Sequence, residues 1–186
     1  MVDFDKILKT QIPDIASIYG GVRGRTMASR HQFYAWPVIV EAGVKLVIDL
    51  RNGDSSDRLP HLCSQYGIAY FNYPVDNDAT TIAQMVTLFP EFCEKIDQGD
   101  FYIACAMGLH RTDVALSTYW VFHAANNGVA PPPICGYRKE KGLNTNKIMR
   151  VLNAFYRYIS EKDGKEPMPI EVFKERKKTI VALGEN

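Results

Sequence analysis

The residues with the most chemistry to offer are Cys105, Gly108, Arg111 and Thr112, in the stretch Phe101 to Trp120, FYIACAMGLHRTDVALSTYW. A thiol and a guanidinium stand six residues apart between two apolar segments. A strand that feeds a helix through a short loop aims several free backbone N–H groups at one spot, and the helix N-terminus adds partial positive charge there. Gly108 lets such a loop turn and approach an anion without a Cβ clash. Arg111 supplies a planar, permanently charged clamp that matches a phosphate. In that field the thiolate of Cys105 is favoured over the thiol, which makes it nucleophilic near neutral pH. Thr112 follows with a hydroxyl able to reach the sulfur. The chemistry this suits is displacement at phosphorus through a cysteinyl-phosphate. The amides of Ala106, Met107, Gly108, Leu109 and His110 would hold the equatorial oxygens as they gain charge. The Cys, Gly, Arg and Thr spacing arises by chance in roughly one chain in a thousand, so it is a specific signal.

These residues need elements to hold them. VKLVIDLR (Val44 to Arg51) is a continuous apolar run rich in β-branched residues, a buried strand. IAYFNYPV (Ile68 to Val75) reads as a second strand and DFYIACA as a third. Helices are predicted over Gln32 to Gly43, over SSDRLPHLCSQYG with Gly67 as its close, and over TTIAQMVTLFPEFCEKIDQG. The last of these has Thr80 or Thr81 as its cap, Pro90 as a kink and Gly99 as its stop. RTDVALSTYWVFHAANNG is apolar nearly all round, a buried central helix ending at Gly128. A loop through VAPPPICGYRKEKG leads to a helix over NKIMRVLNAFYRYISEK, whose stripe is Ile148, Val151, Leu152, Phe155, Tyr158 and Ile159. IYGGVRGR reads as an early strand and turn, and PIEVFKERKKTIVALG as a last helix. The alternation predicts a single α/β sandwich over 1–186, with a central, largely parallel sheet flanked by helices. Its core spans about 18–160, and 165–186 is a C-terminal extension.

Composition excludes several classes. A net charge of +1 gives no global field for nucleic acid or a membrane surface. No apolar run is long enough to span a bilayer, and MVDFDKILKTQIPD lacks a signal-peptide core, so the expected setting is cytoplasmic. The four cysteines, at 63, 93, 105 and 135, show no zinc-ligand spacing. Cys63, Cys93 and Cys135 read as small core residues.

Cys105-Ala-Met-Gly-Leu-His-Arg111-Thr112 resembles the C-x5-R-[ST] signature loop of the cysteine-dependent protein phosphatases. The size, the VIDLR and GIAYFNYPV strands and the long preceding helix resemble the small dual-specificity and tyrosine phosphatase branch, over roughly Ile18 to Ile159. The resemblance implies a phosphocysteine intermediate, no metal and no cofactor. It implies a phosphorylated protein or small phosphorylated molecule as partner. Two positions depart from the family pattern. Ala104 stands where the family usually has a His that fixes the loop and lowers the thiol pKa, leaving either a less acidic thiol or His110 as a substitute charge. Asp113 stands where the family most often has Gly, and its carboxylate is expected to point away from the anion.

Ester cleavage also needs a proton for the leaving oxygen. The resemblance implies an Asp in the loop after the second strand, and YPVDNDATTIAQ offers Asp76 and Asp78. Counting back from Ile82 favours Asp76, while Asp78 reads as a turn or cap residue. Asp49 reads as a structural acceptor. Arg138, Lys139 and Lys141, with Asn144 and Asn146, form a charged and polar run before a helix. Ala106, Met107 and Leu109 put no lysine in the loop, which points to a phosphotyrosine or dual-specificity substrate over a phosphoinositide or inositol phosphate. Two rivals remain: a non-catalytic phosphate-binding pseudophosphatase and a rhodanese-like sulfurtransferase.

Overall fold

A computed structural model of the chain describes residues 1–28, 33–52, 58–135 and 141–185, with the backbone alone for 141–144. Gln32, Ser55 to Asp57, Arg138 and Lys139 lie outside the described residues. The elements run α1 (Phe4–Leu8), β1 (Ala16–Ile18), β2 (Gly21–Arg25), α2 (Ala35–Glu41), β3 (Leu46–Asp49), α3 (Arg58–Gln65), β4 (Ala69–Asn72), α4 (Ala79–Gln98), β5 (Phe101–Cys105), α5 (His110–Phe122), α6 (Lys141–Asp163) and α7 (Ile170–Glu185). Contacts divide the chain into two units, Met1–Pro74 with Pro90–Thr112, and Val75–Phe89 with Asp113–Asn186.

The first unit holds a five-stranded sheet in the order β1-β2-β5-β3-β4. β2, β5, β3 and β4 are parallel, and β1 is an antiparallel edge on β2. Every residue of β3 and β5 is buried, as continuous apolar runs require in a parallel sheet covered on both faces. One face carries Val22, Val47, Tyr102 and Ala104 against Ile7 of α1, Trp36 and Ile39 of α2, and Leu59, Leu62 and Cys63 of α3. On the other, Tyr73 stacks on Phe92 of α4 at 4.0 Å. Pro37 sits in the first turn of α2, where its missing N–H costs nothing.

The second unit is helical. Phe122 of α5 meets Phe155 of α6 at 4.8 Å and Phe173 of α7 at 5.7 Å, and Phe89 of α4 meets Phe155 at 5.0 Å. Tyr156 stacks on Phe173 at 4.4 Å. Arg176 donates to the Val121 carbonyl at 2.5 Å and to Asn126 Oδ1 at 2.7 Å, tying α7 to the end of α5 and the 3-10 turn after it. On α6 the stripe is Ile148, Val151, Leu152, Phe155 and Tyr156, while Tyr158 and Ile159, expected in it, are only half-buried. α6 also starts earlier than predicted, at Lys141.

Candidate active site

Cys105 ends β5, the strand that lies between β2 and β3 in the sheet. It therefore stands at the carboxyl edge of a parallel sheet, the place where open α/β sheets bind ligands. The strand end is held from both sides. Leu50 N donates to the Ala104 carbonyl at 2.9 Å, and Thr26 N donates to the Cys105 carbonyl at 3.0 Å. The chain then passes through 106–109 and enters α5 at His110, one residue earlier than predicted. The N-terminus of α5 brings partial positive charge to this loop, which suits an anion.

Within this turn Thr112 Oγ1 donates to Cys105 Sγ at 3.5 Å. Ala106 and Met107 are exposed, Gly108 and Leu109 are buried, and His110 and Arg111 are half-buried. Gly108 has φ +75°. A Cβ there would collide with the carbonyl group of Gly24 and come within 2.7 Å of Arg25 N. The loop thus lies directly on the backbone of β2, and only glycine permits it.

A residue that the sequence did not single out holds the loop from behind. Arg23 on β2 is fully buried, and its Nη2 donates to the carbonyls of Gly108 at 3.0 Å and Leu109 at 3.3 Å. Its only local signal is an arginine inside a short strand, paired in register with Ile103. On the β3 side, Asp49 is fully buried. It accepts from Arg51 Nε at 2.8 Å, Arg51 Nη2 at 2.9 Å and Tyr70 Oη at 3.1 Å, the structural role expected for it. Burial works against the Arg51 charge. The hydrogen bond that Arg51 donates to Asp49, with Coulombic help from Asp49, Tyr70 and Cys105, outweighs it and raises its pKa above the ordinary value.

No family model matches the chain, and no curated protein matches it. Solved structures do. A "putative phosphatase (DUF442)" from Shewanella putrefaciens CN-32 superposes with a TM-score of 0.50 at 18% identity, covering 80% of this chain and 99% of its own. A second crystal structure under the same description gives 0.52 at 16% identity, covering 83% and 96%. A mutant form of Tk-PTP covers 90% of this chain and 97% of its own at 14% identity, with a TM-score of 0.44. The chain has the fold of these Shewanella structures.

The other cysteines lie outside this loop. Burial pushes the Cys63 and Cys93 thiols up to about 12, so neither is a thiolate near neutral pH. Cys135 is half-buried and is not the core residue expected. Its amide donates to Asp113 Oδ1 at 3.1 Å and Oδ2 at 3.2 Å. That hydrogen bond engages the fully buried Asp113 carboxylate, the second departure from the family pattern.

The two candidate acids lie in the second unit. Asp78 Oδ1 accepts from Thr81 N at 2.9 Å and its carbonyl accepts from Ile82 N at 3.0 Å, so Asp78 caps α4 in place of Thr80 or Thr81. The hydrogen bonds from Thr81 hold its carboxyl below the ordinary value. Asp76 is half-buried; its Oδ1 accepts from Asn77 N at 2.8 Å and pairs with Lys147 Nζ at 3.6 Å. Among the described residues no cluster of His, Cys, Asp or Glu could hold a metal ion, and no helix is long and apolar enough to cross a membrane.

Proposed function

We propose that the protein is a metal-independent, cysteine-dependent phosphatase acting on phosphate monoesters, with phosphotyrosine or dual-specificity protein substrates as its class. The observation that carries this reading is Cys105 at the end of the central strand. It accepts a hydrogen bond from Thr112 and opens a loop whose carbonyls are drawn back onto Arg23. The thiolate attacks phosphorus, forming the S–P bond as the ester P–O bond breaks. Arg111 and the loop amides hold the equatorial oxygens. Asp76 gives its proton to the departing oxygen. A water then yields a proton to the Asp76 carboxylate and attacks phosphorus, and the S–P bond breaks, releasing phosphate and restoring the thiolate. The capping role of Asp78, with its lowered pKa, supports Asp76 as the acid. The exposed loop residues Ala106 and Met107 carry no charge, which supports a substrate with little charge beyond its phosphate.

The test is turnover of p-nitrophenyl phosphate, inhibited by vanadate and unaffected by a chelator. Cys105→Ser is expected to abolish turnover while tungstate still binds. A Ser variant with a tenth or more of wild-type activity would show that no phosphocysteine forms. Tungstate binding with no wild-type turnover of any phosphomonoester would establish the pseudophosphatase instead.

A further inference from the structure

We infer that Arg23 is a positioning residue for the anion cradle, setting the direction of the loop amides from the far side of β2. The inference rests on the reading of 105–112 as the anion-binding loop.

A guanidinium with no exposed surface is costly to bury unless its donors are met. Here one terminal nitrogen donates to two successive carbonyls, those of Gly108 and Leu109, 85 and 86 residues away in sequence. A trans peptide is planar, so the carbonyl of one residue and the N–H of the next point in opposite directions. Drawing the Gly108 carbonyl onto Arg23 turns the Leu109 N–H away from Arg23. Drawing the Leu109 carbonyl onto Arg23 does the same for the His110 N–H. Two donors are thereby aimed at the side of the loop opposite β2.

Two further contacts make the arrangement stiff. The Gly108 backbone lies against Gly24, the residue after Arg23, at a distance no side chain would permit. Thr26 N holds the Cys105 carbonyl at 3.0 Å, so β2 grips the loop at its first residue as well. Charge adds to geometry. A cation on the carbonyl end of a peptide polarises its N–H end, strengthening it as a donor to an anion. Transition-state charge is stabilised most by donors fixed before the reaction.

The experiment is calorimetric titration of tungstate into wild type, Arg23→Met and Arg23→Lys, with p-nitrophenyl phosphate turnover measured in parallel. The dissociation constant per folded molecule does not depend on how much protein is folded, so simple destabilisation leaves it unchanged. Arg23→Met is expected to weaken tungstate at least tenfold. Arg23→Lys keeps the charge on a shorter side chain that lacks the planar guanidinium, so a three- to tenfold loss is expected. If Arg23→Met does not fold, the Lys variant decides alone. Wild-type affinity in the folded Met variant, or in the Lys variant where only that one folds, overturns the role. Tungstate binding in a wild type without turnover sinks the phosphatase reading while the comparison among variants still stands. A wild type that binds no tungstate sinks both.

Discussion

Gly108→Ala tests the seating of the loop with a single methyl group. Two costs follow from the structure. At φ +75° an L-residue with a Cβ loses about 1–2 kcal/mol. The methyl must also displace the Gly24 carbonyl group and Arg25 N, the latter at 2.7 Å. Forcing a methyl into packed backbone costs about 1–3 kcal/mol. Together they come to about 2–5 kcal/mol, a large part of a typical net stability of about 5–15 kcal/mol. For a chain of this size each kcal/mol moves Tm by about 2–4 °C. Gly67→Ala is the matched control. Gly67 has φ +67° and nothing within 4 Å of its would-be Cβ, so it isolates the backbone cost. Gly108→Ala is expected to melt about 2–12 °C below Gly67→Ala. Where the loop backs off β2 to relieve the clash, the Arg23 bonds lengthen, and the vanadate Ki is expected to rise at least tenfold, about 1.4 kcal/mol. Differential scanning fluorimetry and vanadate inhibition read the two effects. Matching Tm values for the two variants, with a wild-type Ki, would mean that the loop does not rest on β2.

Asp76→Asn is expected to slow phosphates with poor leaving groups far more than activated ones, because a proton matters most to a basic departing oxygen. The same pattern in Asp78→Asn and not in Asp76→Asn would reverse the assignment. Asp78→Ala is expected to lower Tm at neutral pH. Its folded pKa lies below the unfolded value, so the contribution is present above the ordinary Asp value of about 3.9 and is lost as pH falls through the folded pKa. The Tm gap between wild type and variant should therefore narrow as pH falls, and a gap that does not narrow in acid would count against the cap. Asp113→Ala leaves the Cys135 N–H without its acceptor, at a cost of about 2 kcal/mol or about 4–8 °C in Tm. Its vanadate Ki should stay within threefold of wild type, and a larger change would place Asp113 in the anion site.

What the sequence made legible is local or periodic. β3 and β5 showed themselves as apolar runs and α5 as a helix apolar nearly all round; Gly67 and Gly99 take the positive φ of stops, while α5 ends at Phe122 and Gly128 closes the 3-10 turn after it. The loop residues from Cys105 to Thr112 are contiguous, so their spacing alone carried the chemistry. What stayed hidden is long-range. Arg23 sits in a five-residue strand, and its partners are 85 and 86 residues away. The first turns of α6 run through Gly142, Asn144 and Thr145, poor helix formers. Tertiary packing overrides that propensity, since Thr145 is buried so close to Gly184 that a Cβ on the glycine would collide with it. At α4, Asp78, Thr80 and Thr81 are all competent caps. Which one acts depends on where the backbone turns helical, and no composition rule fixes that within two residues.

Ala104, the first departure from the family pattern, follows from packing. It is 1% exposed, pairs in register with Gly24 of β2 and Asp49 of β3, and lies in the cluster that holds Trp36 and Tyr102. An imidazole there would overfill that cluster, at about 1–3 kcal/mol, and bring ring nitrogens that need partners where the neighbouring Asp49 is already bonded to Arg51 and Tyr70. The residue before Cys105 is therefore poorly placed to carry charge in this sheet. The β2 strand has no such limit. Gly24 gives the loop its close approach, and Arg23 brings a guanidinium against the loop carbonyls. A nucleophilic thiolate needs fixed amides and nearby positive charge, and neither requirement names the strand that must supply them. In this chain the strand on one side of Cys105 meets both.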